Sequence, residues 1–258
     1  MQKNVILGVD IGATGVKGGL VNIKEGRLTT ERHRLLTPKP ATPKAIAKVF
    51  TELVEHFAWK GPVGCGFPAI VHHGVAVSAA NIDKSWYGTN IEKILSAAIN
   101  APVHVLNDAD AAGMATMRHG IGKGVKGTVL MITIGSGLGT ALFLDGKLLP
   151  NSEFGHTYLK GHKQVVEKYA SNGARKRLEL PWDEWGKRFN EYLHHLERLL
   201  SPDLVILGGG GSKYFAEYEN QFTVDYPVRP AILENRAGTV GAAMYAYERE
   251  KKKRKSMK

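Results

Sequence analysis

The sequence predicts an α/β protein built from two similar halves. In each half an apolar strand runs into a glycine-rich turn and a second strand, as in GVDIGATGVKGGL (residues 8–20) and MITIGSGLGTALF (residues 131–143). Further along each half lie a segment with apolar residues at helical spacing and another apolar strand. We therefore expect two equivalent halves that face each other and bring both glycine turns to one cleft.

The first half is predicted to contain three strands, a helix, a strand, a helix and a strand. The first three strands are placed at Val5–Asp10, Val16–Ile23 and Arg27–Leu36. The first helix follows a Pro-rich loop, with Thr42 as its N-cap and Pro43 in its first turn. The remaining strand, helix and strand are predicted in GPVGCGFPAIV, NIEKILSAAIN and APVHVLND.

The second half repeats this order. Three strands are predicted in GTVLMITIGSGLGTALFLDGKLL, a long amphipathic helix in WDEWGKRFNEYLHHLERLL, and a buried strand in PDLVILGGGG. The segment AGTVGAAMYAYEREKKK is predicted to form a last helix. We divide the chain into a small lobe, residues 1–107 with the helix 238–258 returning to it, and a large lobe, residues 108–237.

Composition narrows the class of protein and its partners. The single cysteine among 258 residues, Cys65, excludes a disulfide framework and a cysteine-rich zinc site, and fits a cytoplasmic protein. We predict no signal peptide, because the N-terminal segment MQKNVILGVD has no long apolar core. We also predict no membrane partner, because no apolar run approaches the roughly 20 residues that a membrane span needs. The net charge of +11 predicts attraction to a polyanion, which leaves nucleic acid, anionic lipid and a phosphate-rich substrate open.

The two glycine turns are candidate phosphate-binding sites. A glycine turn can direct several backbone N–H groups at one anion and lets a bulky phosphate come close. Neither turn matches a P-loop or a dinucleotide fingerprint, because a strand and not a helix follows it. At the end of the first strand, Asp10 is placed to hold Mg²⁺, directly or through water. The alternative is an Asp that only caps the turn.

Acids and a histidine in two later segments are candidates for catalysis and for binding hydroxyl groups. Asn107 and Asp108 follow an apolar strand, where either could cap a helix, and where Asp108 could also act as a general base. Asp110 is predicted to be a cap. Asn107 could bond to a sugar hydroxyl, and Glu153, His156 and Glu167 could together hold a polyol, although structural roles remain open for them.

In order and spacing, these motifs resemble the ROK family of sugar kinases. The matching segments are GVDIGATGVKGGLV, LNDADAAG, MITIGSGLGTALF, EFGHTYL, VVEKYAS and LVILGGGGS, and the likeness extends from about Val5 to about Ala246. The resemblance implies the duplicated actin/hexokinase-like (ribonuclease H-like) fold, with two lobes around a central cleft.

The resemblance also implies a role for each matching residue. Asp108 would be the base that takes the proton of a sugar 6-hydroxyl, and Asp10 would hold Mg²⁺. The sugar would contact Pro68, Asn81, Asn107, Asp108, Glu153, His156 and Glu167. The phosphates would contact Gly12, Ala13, Thr14, Lys17, Gly135, Ser136, Gly137, Gly139, Gly209 and Gly210.

One segment departs from the family pattern. Many family members carry a cysteine-rich zinc motif where this chain has TYLKGHKQVV, so we expect no zinc and a sugar-binding role for His156. Short, basic members without that motif are most similar to the glucokinases that use inorganic polyphosphate. The resemblance therefore implies transfer of a terminal phosphoryl group from polyphosphate to glucose, in a homodimer.

Other functions stay open at this stage. ATP could be a donor as well, and an ATP-dependent hexokinase acting on glucose, mannose or an N-acetylated hexose is the nearest alternative. A family-type transcriptional regulator is disfavoured, because the first phosphate strand begins at Val5. A binder of nucleic acid is disfavoured because basic and aromatic residues are not interleaved. The sequence leaves open the polyphosphate length preferred and the role of the basic tail KKKRK.

Overall fold

A computed structural model of the protein describes residues 4–232 and 236–256. Its strands, in chain order, are β1 Val5–Gly12, β2 Gly15–Asn22, β3 Arg27–Leu28, β4 His33–Leu35, β5 Val63–Phe67, β6 Val71–His72, β7 Val75–Ala76, β8 Val103–Asn107, β9 Thr128–Ile134, β10 Leu138–Leu144, β11 Lys147–Leu149, β12 Leu204–Gly208 and β13 Val228–Pro230. Its α-helices are α1 Pro43–His56, α2 Ile91–Ile99, α3 Asp108–His119, α4 Val166–Ala170, α5 Asn172–Arg177, α6 Trp182–Leu200 and α7 Ala237–Ser256. Short 3₁₀ helices lie at Lys84–Trp86, Phe154–His156, Gly210–Glu217 and Glu219–Gln221.

The chain forms two compact units. The first contains the residues up to Ala115 together with those from Arg236 onward, and the second contains Thr116–Asn235. The change from one unit to the other therefore falls within α3, and Asp108, at the start of that helix, belongs to the first unit.

The two units carry sheets of the same topology. In the first unit the strand order is β3-β2-β1-β5-β8, with β4 also paired to β2, and in the second it is β11-β10-β9-β12-β13. In both sheets the first strand is antiparallel to its hairpin partner and parallel to the next strand of the sheet. This repetition confirms the predicted duplication and the actin/hexokinase-like fold class.

Local sequence signals account for α1 and for its position on the first sheet. The Thr42 hydroxyl accepts a hydrogen bond from the Ala45 N–H, and Pro43 occupies the first turn, as predicted. Its apolar stripe, which includes Ile46, Phe50 and Leu53, is fully buried in the core of the unit. Burial of this stripe stabilises the helix, because propensity alone contributes little.

Helix α7 belongs to the first unit and lies against the backbone of the first sheet. A Cβ atom at Gly64 of β5 would lie 1.8 Å from the Ala242 carbonyl oxygen, and one at Gly8 of β1 would lie 2.0 Å from the Thr239 oxygen. The glycines in these strands therefore let a helix approach at backbone distance. At the far end of the helix, His104 of β8 contacts Glu250, with 2.8 Å between Nε2 and Oε1.

The structure differs from the sequence expectation in several elements. The predicted strand Arg27–Leu36 is interrupted, because β3 and β4 pair separately with opposite ends of β2. The hairpin of β6 and β7, the strand β13 and the short helices α4 and α5 had no recognisable sequence pattern. Within residues 4–232 and 236–256, none of the helices has the length and apolar character that a membrane span requires.

Candidate active site

Two carboxylates lie at the same edge of the first sheet. Asp10 is in β1 and is paired with Gly66 of the neighbouring strand β5, while Asp108 directly follows β8, the next strand along. A Cβ atom at Gly66 would lie 3.6 Å from both Asp10 Oδ1 and Asp108 Cα. The structure thus brings together the two acids that the sequence singled out, at the carboxyl ends of parallel strands, where open α/β sheets bind ligands.

Asp10 is a mostly buried carboxylate that lies beside Lys17. Its side chain is 19% exposed and lies 3.8 Å from the Lys17 ammonium, across the β1–β2 ladder. Burial raises the pKa of Asp10 above its ordinary value, and the positive charges of Lys17 and Arg32 oppose that rise. An additional cation at this carboxylate would therefore favour its ionised form.

This donor set fits a magnesium ion that is bound mainly through the phosphates of a substrate. In the described residues no three His, Cys, Asp or Glu side chains gather into a cluster that could hold a metal by itself. Mg²⁺ commonly uses one or two carboxylates and completes its octahedron with phosphate oxygens and water. Asp10 supplies one such carboxylate at this edge.

Asn107 caps helix α3 and connects its start to the segment between β5 and β6. Its Oδ1 atom accepts hydrogen bonds from the N–H groups of Ala109 and Asp110, and its Nδ2 donates to the Ala69 carbonyl. Asn107 is therefore the cap that we expected Asp110 to be, and Asp110 instead lies buried in the first turn of the helix. Contact of Asn107 with a sugar stays a prediction.

Asp108 is held at the start of α3 and keeps part of its surface open. Its Oδ1 atom accepts a hydrogen bond from the Ala109 N–H at 2.9 Å, and the residue is half-buried. A carboxylate on the first residue of a capped helix has a defined position, and its partial exposure leaves it accessible to a hydroxyl group. Both properties are those of a general base.

The first glycine turn is a tight hairpin with an exposed tip. Gly12 pairs with Gly15, and Ala13 and Thr14 between them are exposed. Arg34 of β4 donates a hydrogen bond to the Thr14 carbonyl, and a Cβ atom at Gly15 would lie 2.5 Å from Arg34 Nε. Sequence reasoning missed this cation, which lies beside the turn only because β4 pairs with β2.

The second glycine turn consists of Gly135, Ser136 and Gly137, with Ser136 exposed at its tip. Gly139, predicted as part of the turn, instead lies inside β10. Thr140 is also in β10 and is buried.

Thr140 supports the segment that carries Glu153. Its hydroxyl donates to the Ser152 carbonyl at 2.7 Å and accepts from the Phe154 N–H at 3.1 Å. Thr140 therefore fixes the backbone on both sides of Glu153. No local sequence signal pointed to this role, because the partners lie in a segment that follows a separate strand.

The three predicted polyol residues lie close together in the second unit. Glu153 Oε2 is 3.5 Å from His156 Nδ1. Burial raises the pKa of Glu153 above its ordinary value; nearby His156 opposes the rise and nearby Glu167 adds to it. Two acids and an imidazole of this kind can accept and donate hydrogen bonds to adjacent hydroxyl groups.

The remaining predicted positions are less informative. Gly209 has a φ of +78° and lies against Ile134, and the exposed Gly210 follows it at the start of a 3₁₀ helix. Pro68 is half-buried immediately after β5, and Asn81 is exposed in a loop. The ligands of these residues stay predictions, as does the convergence of the two glycine turns.

Both sheets have the same topology, and in each the first two strands along the chain form a hairpin with a glycine turn. These features define the class of protein, which has the actin/hexokinase-like fold. The profile of the ROK family matches residues 6–180. The chain belongs to the ROK family.

Individual relatives refine this comparison. The chain is 43% identical over 238 residues to a polyphosphate glucokinase of Mycobacterium tuberculosis, covering 92% of this chain and 89% of the relative. It resembles the crystal structure of an inorganic polyphosphate/ATP-glucomannokinase from Arthrobacter sp. strain KM, with a TM-score of 0.91, 47% identity and coverage of 96% and 100% of the two chains. A ROK family glucokinase from Streptomyces griseus, solved with glucose and AMPPNP, gives a TM-score of 0.81 at 25% identity, covering 95% and 99% of the chains.

Proposed function

We propose that the protein is a glucokinase that transfers the terminal phosphoryl group of inorganic polyphosphate to the 6-hydroxyl of glucose. The observation that carries the proposal is the pair of carboxylates at one sheet edge, one mostly buried beside a lysine and one partly open on a capped helix. The names of the relatives supply the donor and the acceptor. The net charge of +11 supports a linear polyanion as donor, because binding such chains depends on many cationic side chains.

We assign the proton transfer to Asp108. Its carboxylate takes the proton of the sugar 6-hydroxyl as that oxygen forms a bond to the terminal phosphorus. The bond from this phosphorus to the bridging oxygen breaks at the same time, and the polyphosphate chain leaves with one phosphate unit fewer. Little covalent chemistry is required of the protein, which mainly positions the reactants and balances charge.

We assign charge balance to Lys17 and to the exposed backbone of the two glycine turns. Glu153, His156 and Glu167 hold the other hydroxyl groups of the sugar. Mg²⁺, bound at Asp10, would act as a Lewis acid on the oxygens of the donor phosphates. We also propose, from the family resemblance, a cytoplasmic homodimer that needs no zinc.

A donor comparison tests the proposal. Purified protein is assayed with glucose and either long-chain polyphosphate or ATP, and glucose 6-phosphate is measured. We expect turnover with polyphosphate. ATP is the second candidate donor and mannose a second acceptor, because the Arthrobacter relative is named for both. Absence of product with polyphosphate, together with turnover on ATP, would make the protein an ATP-dependent hexokinase.

The role of Asp108 is tested separately. We expect Asp108→Asn to lower kcat about 10²- to 10⁴-fold and to leave the melting temperature nearly unchanged, because the amide keeps the shape and the oxygen that accepts from Ala109. Asp183→Asn, an exposed acid in the first turn of α6, is the matched control. Near-normal turnover of Asp108→Asn would remove the base assignment.

A further inference from the structure

The second glycine turn is held by the same segments that carry the candidate sugar residues. Glu167 of α4 accepts a hydrogen bond from the Leu138 N–H through Oε2, at 3.1 Å. Gly155, between Glu153 and His156, packs so closely that a Cβ atom there would lie 2.1 Å from the Leu138 carbonyl oxygen. Both the N–H and the carbonyl group of Leu138, the first residue after the turn, are thus contacted by the segments that carry the candidate sugar residues.

Glu167 also limits the size of the turn residue next to Leu138. A Cβ atom at Gly137 would lie 2.1 Å from Glu167 Oε2. The carboxylate therefore occupies the space that any other side chain at position 137 would need. Helix α5 completes the support, because the Gly173 N–H donates to the Gly135 carbonyl at 3.1 Å.

The two oxygens of Glu167 have different surroundings. Oε2 is used by Leu138, whereas Oε1 lies 3.5 Å from the Lys168 ammonium. The side chain is only 9% exposed, so its position is well defined. One carboxylate can thus contact a sugar hydroxyl through Oε1 while Oε2 remains bonded to the turn.

We infer that Glu167 positions the second glycine turn through Leu138, and that sugar bound at Glu153 and Glu167 thereby strengthens the binding of phosphate at that turn. This inference rests on the proposed function and adds to it a coupling between acceptor and donor within one unit. A sugar hydroxyl on Oε1 restrains the carboxylate, and the restrained Oε2 fixes the Leu138 N–H. By linkage, phosphate at the turn must strengthen sugar binding by the same factor.

The coupling is measured with a sugar that cannot react. 6-Deoxyglucose lacks the hydroxyl that accepts the phosphoryl group, so the Kd of long-chain polyphosphate is measured with and without it, at fixed salt. For the wild type we expect 6-deoxyglucose to lower that Kd severalfold. This binding measurement does not depend on transfer, so failure of the donor assay and failure of the coupling are separate results.

Variants of Glu167 separate positioning from sugar contact. Glu167→Gln keeps an oxygen that can accept from Leu138, and Glu167→Ala leaves that N–H without a partner. Without any sugar present, we expect Glu167→Ala to raise the Kd of polyphosphate about tenfold. Glu167→Gln should have a Kd close to that of the wild type. If Glu167 only binds sugar, both variants will raise the KM for glucose and leave polyphosphate binding in the absence of sugar unchanged, and that result would overturn the inference.

A second pair of variants tests the same contact from the turn. Gly137→Ala places a methyl group against the carboxylate, whereas the nearest atom to a Cβ at Gly135 is 4.0 Å away. We expect Gly137→Ala to abolish the effect of 6-deoxyglucose on the Kd of polyphosphate, and Gly135→Ala to retain it whatever its basal affinity. Retention of the effect in both variants, or its loss in both, would overturn the inference.

Discussion

The close contact between helix α7 and strand β5 leads to a quantitative prediction for Gly64→Ala. The new Cβ atom would lie 1.8 Å from the Ala242 oxygen and 2.3 Å from its carbonyl carbon, where ordinary contacts begin near 3.4 Å. The helix would have to move away by more than an ångström, because both partners in the clash are backbone. That movement would disturb the packing of fully buried residues such as Ala242 and Ala243.

We expect Gly64→Ala to lower the free energy of unfolding by about 3 kcal/mol or more, the upper part of the range for overpacked cores. For a protein of this size the loss corresponds to about 6–12 °C in melting temperature. Scanning calorimetry and urea unfolding, without ligand, measure it. Because the chain forms two units, the loss should appear in the transition that reports the first unit.

Gly66→Ala in the same strand is the matched control. A Cβ atom there would meet its nearest neighbours at 3.5–3.6 Å, which is ordinary van der Waals contact. We expect a stability change within about 1 kcal/mol, because the smaller entropy of the unfolded chain compensates for the added methyl group. If the two variants melt within about 2 °C of each other, the backbone contact does not determine the packing of α7.

Three further predictions concern buried and charged groups. Tyr192 is fully buried and its hydroxyl has no hydrogen-bond partner in the described residues, so Tyr192→Phe should unfold at the same urea concentration as the wild type or at a higher one. Tyr226→Phe loses a 2.8 Å hydrogen bond to the Leu193 carbonyl, so its free energy of unfolding should fall by about 1 kcal/mol. Folding raises the pKa of Glu153, because burial disfavours its ionised form. The melting temperature of the wild type should therefore fall as the pH rises from the ordinary pKa of 4.5 through the raised pKa. Glu153→Gln should show a smaller fall over the same pH range. Gly238, at the start of α7, lies beside Asp10, so the exposed basic residues 251–255 begin about 20 Å farther along the helix. Replacing these five residues with glutamines should therefore raise the KM for long polyphosphate at low salt but not the KM for triphosphate. An equal effect on both donors would contradict this difference in reach.

The sequence predicted the parts of the fold that depend on local patterns. Three elements each have their signal within a few residues. An apolar run that enters a glycine turn predicts the hairpin β1–β2, a threonine before a proline predicts the start of α1, and an apolar run before glycines predicts β12. The duplication was also predictable, because the order of these signals repeats. The same information identified Asp10 and Asp108, which lie at the ends of strands that could be recognised separately.

Contacts between distant segments were not predictable. The segment Arg27–Leu36 alternates like one strand, but pairing with the two ends of β2 divides it and brings Arg34 to the first turn. Glu167 and Leu138 are 29 residues apart, and the carboxylate of one completes the hydrogen bonding of the other. Periodicity and spacing describe a single segment, so they contain no information about which side chain a neighbouring segment contributes.

The structure separates the glycines of the predicted phosphate turns into those that the fold itself explains and one that it does not. Gly137 is explained by the close approach of the Glu167 carboxylate and Gly209 by its φ of +78°, so neither needs a ligand to explain it. Gly135 has neither constraint, because its φ is not positive and the nearest atom to a Cβ is 4.0 Å away. The space beside it is therefore where we expect a phosphate to approach the turn. We expect Gly135→Ala to keep the melting temperature within about 2 °C and to weaken polyphosphate binding, measured by titration without sugar. Unchanged affinity would mean that phosphate does not approach the turn at this residue.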